Sequence, residues 1–486
     1  MYQLTKIASL KSIAQFRSHA QRVGADIPID DEVHTHSESS LLQPISWGSR
    51  TIGNRITVQP MEGWDGTLDG GITEPMLRRW RRFGESGAKL VWGGEAMAVR
   101  PDGRANPNQL ILVDRNRDGI QQLLLALREE HRKHLGRDDD LVVGFQLTHS
   151  GRFCRPRDHH RWEGRVAHRH PLLDLRFGGV SDAQLLTASQ VRELIADYIA
   201  AARLAQEIGA DFVDVKCCHG YLLHEFLSAQ TRDDEYGGSL ENRARIVLEI
   251  IAGIRAACPG LGIGVRMSAF DTVPFEPDPS TAVEGRLGQG RPTAHNHLIP
   301  YRWGFGVNPE KPTEMDLDEP LRCIGLFKTA GVSLLNVSAG SPYYSPHLVR
   351  PAAFPPSDGY QPHEDPLLGV ARHLRATRAI KERHPELIVV GSGYSYLQEY
   401  LPHAAQHAVR DGWTDCVGLG RTMLSYPRVL RDAAEGNAAA RKLICRTFSD
   451  CTTAPRNGLP SGCYPLDDFY KGTPTADAVK EIKSRL

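Results

Sequence analysis

Short runs of apolar, often β-branched residues recur along the chain. Each gives way to a stretch in which apolar positions return every three or four residues. The runs fall at 55–59, 89–92, 141–146, 211–216, 262–267, 333–337, 387–390 and 415–419, and the clearest helical patterns at 188–208 and 239–257. Strict alternation of strand and helix implies parallel strands joined by right-handed crossovers. Eight such units with no obvious reversal of order favour an α/β fold closed as a (β/α)8 TIM barrel over an open sheet, with chemistry at the carboxyl ends of the strands. Three strand-to-helix connections, 150–187, 268–318 and 338–365, are far longer than the usual few residues and would crowd over that face as walls or a lid. The pattern divides the chain into an N-terminal extension (1–45), a barrel (46–440) and a tail packing on it (441–486).

Composition narrows the classes. The 486 residues are 41% hydrophobic and 24% charged, too apolar for a disordered chain. Lys plus Arg and Asp plus Glu both number 58, so no global charge draws the protein to nucleic acid or an anionic membrane. No apolar run approaches the roughly 20 residues that span a bilayer. Nine cysteines form no disulfide framework and suit a reducing compartment, so a cytoplasmic location is expected. The oligomeric state stays open, a homo-oligomer included.

The densest chemistry lies in DFVDVKCCHGYLLHEFLSAQTRDDEYGGSLENRAR at 211–245. Lys216 ends a strand, and His219 and Tyr221 follow at once, where barrel enzymes carry catalytic groups. A phenol can give a proton to a carbon centre while an imidazole donates to a substrate oxygen. Equally, both could be polar residues satisfied at a strand end.

With its flanks this segment resembles the old yellow enzyme family, the NADH:flavin oxidoreductase and 2,4-dienoyl-CoA reductase-like barrels. The resemblance runs through NRITVQPMEGWDG (54–66), GGEAMAV (93–99), QLTHSGR (146–152), HGYLLHEFLS (219–228), DEYGGSLENR (234–243), VRMS (265–268), VVGSGYS (389–395) and VGLGRTMLSYP (417–427). It implies FMN at the mouth of the barrel, NADH or NADPH as hydride donor and a small molecule with an activated C=C bond as acceptor, with Tyr221 supplying the proton. It also implies flavin contacts from Pro60, Met61 and Glu62, from Glu95 and Ala96, from Gln146 along the pyrimidine, and from Arg243 facing N1 and O2. The phosphate end has its own chemical logic. Gly391, Ser392 and Gly393 after the seventh strand, and Gly418, Gly420 and Arg421 at the eighth, offer backbone N–H groups and a cation to an anion.

The chain departs from the family at Lys216, which stands where a histidine is usual and would suit an anionic substrate. Cys445, Cys451 and Cys463 lack the spacing of a thiolate quartet, so they read as buried small residues rather than cluster ligands. The Arg- and His-rich segment 151–170 reads as a basic lid, and no metal site is expected from His159, His160, His168 and His170. Tyr343, Tyr344, Phe354 and Tyr360 could line the substrate opening. Competing readings are an amine or N-methyl dehydrogenase on the same barrel, a Schiff-base lyase using Lys216, and a non-catalytic flavin-binding protein.

Overall fold

The computed structural model describes residues 4–284 and 286–485. The eight apolar runs become parallel strands: β1 (Ile56–Val58), β2 (Leu90–Val91), β3 (Val142–Thr148), β4 (Phe212–Cys217), β5 (Gly262–Ser268), β6 (Leu334–Ser338), β7 (Ile388–Gly391) and β8 (Cys416–Leu419). Each pairs with its successor, and the register Val417↔Ile56 to Leu419↔Val58 closes β8 onto β1. A short strand, Ala96–Ala98, adds to β3 beyond β2. The strands are buried almost throughout because one face looks into the barrel and the other against helices.

Those helices are α1 (Glu74–Glu85), α2 (Arg117–Leu135), α3 (Ala188–Ile208), α4 (Leu240–Ala257), α5 (Asp318–Ala330), α6 (Pro366–Arg383) and α7 (Leu401–Arg410), followed by the shorter Arg421–Ser425 and Val429–Ala434. Local signals set their ends. Thr187 and Gln190 form a reciprocal capping box at the start of α3, and Gly209, at φ 106°, closes it in the left-handed region. Ser239 caps α4 by accepting from the Asn242 N–H.

The bottom of the barrel is plugged. The antiparallel hairpin Ile45–Trp47 and Arg50–Ile52 lays Ile52 and Trp47 against Trp92, Phe212, Leu334 and Val390. The extension before it clasps the flank of the barrel. Phe16, on helix Ile13–Val23, stacks on Tyr400 at 4.5 Å, and Asp30 accepts from Gln406 on α7 at 2.5 Å. With the bottom sealed, the top is left for the long connections. The one after β5 contains a hairpin (Phe275–Pro277 with Gly290–Pro292), and the one after β6 a short helix, Pro346–Val349. No helix among the described residues is long and apolar enough to cross a membrane.

Candidate active site

A cavity of about 210 Å³ opens at the carboxyl ends of the strands. Its floor is polar because the last interior positions of the strands carry amides. Gln59, just past β1, donates to Asn336 of β6 at 3.1 Å and to Ser392 at 3.0 Å. Gln146 of β3 donates from Nε2 to Asp214 of β4 at 2.5 Å, which leaves its amide oxygen as the acceptor on the cavity side. Asp214 also accepts from the Arg266 backbone N–H at 2.6 Å. Burial pushes its carboxyl up to about 6.

One wall is organised by Glu62. Its carboxylate receives Lys216 Nζ at 2.5 Å, the Tyr221 hydroxyl at 2.7 Å and Trp64 Nε1 at 3.0 Å. Tyr221 Oη lies 3.1 Å from Tyr343 Oη, and Lys216 Nζ sits 4.0 Å from the centre of the Tyr221 ring. Burial first, and then Glu62 and Tyr343, hold the Tyr221 phenol well above its usual range. His219 stands beside this group with φ 67°, a left-handed conformation that a non-glycine residue rarely adopts. Gly220 continues the turn at φ 73°, where an added Cβ would lie 2.9 Å from Tyr344 and 3.0 Å from Phe153. The turn is held by the His219 N–H on Ser268 Oγ at 3.0 Å and by Nε2 against Ser338 Oγ at 2.8 Å. Burial, with Arg266 and Lys216 nearby, keeps the imidazole neutral, well below its ordinary range.

The opposite end of the cavity is cationic. Ser392, Gly393, Gly418, Gly420 and Arg421 line it together with Arg350. Arg421 donates to the Pro351 carbonyl at 2.9 Å while its Nη1 is buried with no partner. Arg350 is bonded to Thr452 Oγ1, and burial beside Arg421 lowers it to about 10. Two buried guanidiniums that repel each other, neither ion-paired among the described residues, call for an anion between them. Arg266, at the other end, keeps a buried Nε without a partner. At Gly418 an added Cβ would lie 1.9 Å from Gln59 Nε2, so only glycine allows this close packing under the cavity. Orphaned cations at both ends and a glycine-lined floor fit the FMN that the sequence resemblance implies.

The structure brings together Pro60, Met61, Glu62, Gln146, Lys216, His219, Tyr221, Ser392, Gly393, Gly420 and Arg421. Four other expected residues do not line the cavity. Gly391 ends β7 one residue short, against the Tyr394 ring. Glu95 pairs with Arg79 and accepts the Gly63 N–H at 3.1 Å, so it props the loop that carries Glu62. The backbone oxygen of Ala96 is taken by Gln109. Arg243 is the substantive correction. It lies in the first turns of α4, outside the barrel, where its guanidinium holds Glu319 at 2.5 Å and the carbonyls of Gly238 and Leu227. Among the barrel's strands the arginine that reaches the cavity is Arg266, on the inward face of β5. The signal for it was a lone charge inside the apolar strand GIGVRMS.

The tail also reaches the cavity. Cys451, Thr452, Pro455, Arg456 and Ser461 line the mouth. Arg456 lies 4.2 Å above the Tyr343 ring and 4.9 Å above Trp64, with Asp358 3.1 Å away. Cys445, Cys451 and Cys463 gather with Arg421 around a smaller neighbouring cavity. Burial pushes the Cys445 and Cys451 thiols up. The four lid histidines do not form one cluster. His159 stacks on His160, whereas His168 and His170 are buried and neutral, the second bonded to Tyr301 Oη at 3.1 Å.

The chain is 33% identical over 238 residues to an NADPH dehydrogenase of Bacillus subtilis, a stretch that is 48% of this chain and 64% of the relative. It therefore spans under two thirds of that relative's length. In fold it is similar to a 2-naphthoyl-CoA reductase in complex with 2-naphthoyl-CoA, with TM-score 0.63 and 18% identity over 87% of this chain and 56% of the other. It is also similar to the old yellow enzyme homologue from Zymomonas mobilis, with TM-score 0.56 and 20% identity over 84% of this chain and 96% of the other. Residues 40–282, from the segment before the plugging hairpin to the loop after β5, match the profile of one family, a stretch that contains Glu62, Gln146, Lys216, Tyr221 and Arg266. On that match the chain belongs to the NADH:flavin oxidoreductase / NADH oxidase family.

Proposed function

We propose that the protein is an FMN-dependent NAD(P)H oxidoreductase that reduces an activated carbon–carbon double bond. The observation that carries this reading is the Tyr221 hydroxyl, held at 2.7 Å on Glu62 in the cavity wall between Lys216 and Tyr343. Pro60 and Met61 would lie along the flavin, Gln146 and Arg266 at its pyrimidine, and Ser392, Gly393, Gly420, Arg421 and Arg350 at its phosphate. Bound there, FMN would supply hydride transfer from a nicotinamide to the second substrate.

The remaining chemistry belongs to the side chains. Tyr221 donates its proton to the substrate carbon that does not receive hydride. Lys216, over the face of that ring, stabilises the negative charge left on the phenol. His219, a neutral imidazole fixed by Ser338, orients the substrate carbonyl. Lys216 is already paired with Glu62, so a preference for an anionic substrate rests instead on the free Nη1 of Arg456, which lines the mouth. Asp358 holds that guanidinium through Nε at 3.1 Å and leaves the buried Nη1 without a partner, over the Trp64 ring. The ion pair with Glu62 weighs against a Schiff-base role for Lys216, which needs a free amine.

The decisive measurement is the absorbance spectrum before and after anaerobic NADH or NADPH. A colourless protein that FMN cannot reconstitute would overturn the proposal. Turnover of enoates against betaines and methylamines distinguishes reduction from amine oxidation.

Two variants test the cofactor contacts. Arg421→Ala is expected to weaken FMN retention by about 1.5–3 kcal/mol, the value of a shielded charge-assisted contact, with the fold intact. Unchanged affinity in a folded variant removes Arg421 from the site. Arg266→Gln is expected to weaken FMN binding at unchanged thermal stability, whereas Arg243→Gln should lower the melting temperature and leave FMN affinity within about twofold. Fluorescence titration of FMN and a melting curve on each variant separate the two arginines, and the reverse pattern would restore Arg243 to the flavin.

A further inference from the structure

Away from the flavin cavity, three side chains from the end of the β6 connection face one another. The ligating atoms of His347, His363 and Glu364 all lie within 4.8 Å of each other. Phe275, from the hairpin of the neighbouring connection, covers both imidazoles, with ring centroids 4.6 Å from His347 and 5.0 Å from His363. A separate cavity of about 40 Å³, lined by these residues, Tyr360 and several prolines, adjoins them.

The hydrogen bonding is unfinished in a way that points to a ligand. Nδ1 of His347 is bonded to Tyr360 Oη at 2.6 Å, so Nε2 is the ring nitrogen left for another partner. Nδ1 of His363 is buried with no partner at all. Arg372 grips Glu364 through both nitrogens and so fixes the direction of its carboxylate. Two imidazoles and one oriented carboxylate, with a hydroxyl behind one ring, make a donor set for zinc rather than for magnesium or calcium, which prefer oxygen.

We propose that His347, His363 and Glu364 bind one Zn²⁺, which closes the proline-rich segment between the two histidines into a fixed loop. Bond lengths of about 2.0–2.2 Å require the three ligating atoms, now spread over up to 4.8 Å, to draw together around the ion, and a water would complete the fourth position. The loop carries Arg350, which lines both this cavity and the larger one. The ion would therefore hold that cation in place at a distance from the ion itself. The inference stands whether or not the larger cavity reduces alkenes.

The test uses the full chain dialysed against a chelator and titrated with Zn²⁺ by calorimetry. Co²⁺ is the spectroscopic probe, because low-symmetry nitrogen–oxygen coordination gives visible absorption. One tight equivalent is expected, with a rise in melting temperature on zinc addition. Tyr360→Phe should weaken binding about 10- to 100-fold by releasing the His347 ring, and His363→Ala should abolish the tight equivalent. Should His363→Ala fail to fold, Glu364→Gln carries the test, with a loss of about tenfold or more expected. Absence of a tight equivalent in the unaltered protein overturns the proposal. So does binding that survives undiminished in a folded ligand variant, which would assign the ion to the Cys445, Cys451 and Cys463 group or to the lid histidines.

Discussion

A Tyr221→Phe enzyme is expected to hold FMN and accept electrons from NAD(P)H almost normally, yet to be re-oxidised by an activated alkene about 10²- to 10⁴-fold more slowly, the range for loss of a positioned general acid. The proton is needed only when hydride reaches the alkene, so reduction by nicotinamide does not consume it. The pocket should survive because Glu62 keeps Lys216 at 2.5 Å and Trp64 at 3.0 Å when the hydroxyl is gone. Re-oxidation by a quinone or oxygen should change less. Because burial and Glu62 hold the phenol well above 10, it stays protonated across the neutral range, and its ionisation should not limit the unaltered enzyme below about pH 10. Stopped-flow traces of both half-reactions decide the matter. Undiminished alkene reduction would pass the acid role to Lys216, Cys218 or water. A parallel fall of both halves would make Tyr221 a pocket residue only.

Folding stability is expected to drop by about 5 kcal/mol or more between pH 7 and pH 5, a large share of the roughly 5–15 kcal/mol that natural domains possess. The cause is a set of buried neutral histidines. His131, His149, His224 and His373 are lowered to about 4 and His168 to about 3, burial being the first cause in each. The unfolded chain protonates these rings near 6.5 and the folded chain refuses the proton until about pH 4. Their stability contribution is therefore complete above 6.5 and lost as the pH falls. Together they cost about 10 kcal/mol at pH 5. Three buried carboxyls oppose them. Glu95 is raised to about 7, and Asp214 and Asp271 to about 6, so the folded chain takes up these protons first and acid relieves about 5 kcal/mol of their burial cost. Urea unfolding at the two pH values checks the balance, and a midpoint that does not fall toward pH 5 would refute it.

The two results also mark where the sequence was informative. Strands, helices and the barrel were legible because their signals are local. Apolar runs alternate with 3.6-residue patterns, and Thr187 with Gln190, Ser239 and Gly209 mark helix ends within a few residues of the pattern they bound. Lys216, His219 and Tyr221 were legible for the same reason, since a strand end can be read from the strand. The turns after β7 and β8 that line the cavity also announce themselves, by glycine and arginine at such ends.

What the sequence could not rank was which polar residue faces inward. Arg243 and Arg266 both sit in family-like motifs, but one falls on an outer helix and the other on the inner face of a strand, a difference of register and pleat rather than of residue type. Glu62 is the clearest case of tertiary decision. Its meeting with Lys216 and Tyr221 joins residues 154 and 159 positions apart, and the carboxylate acquires its meaning from a lysine that the family pattern would have made a histidine. Arg456 and Cys451 reach the mouth only because the tail folds back over it, and His347 meets His363 only because prolines turn the intervening chain. By itself the sequence determined the eight repeating units and the positions at their ends, because those depend on short-range periodicity and steric preference. The packing of distant segments decided which side chains share one low-dielectric space, and with it the charge and proton affinity of each.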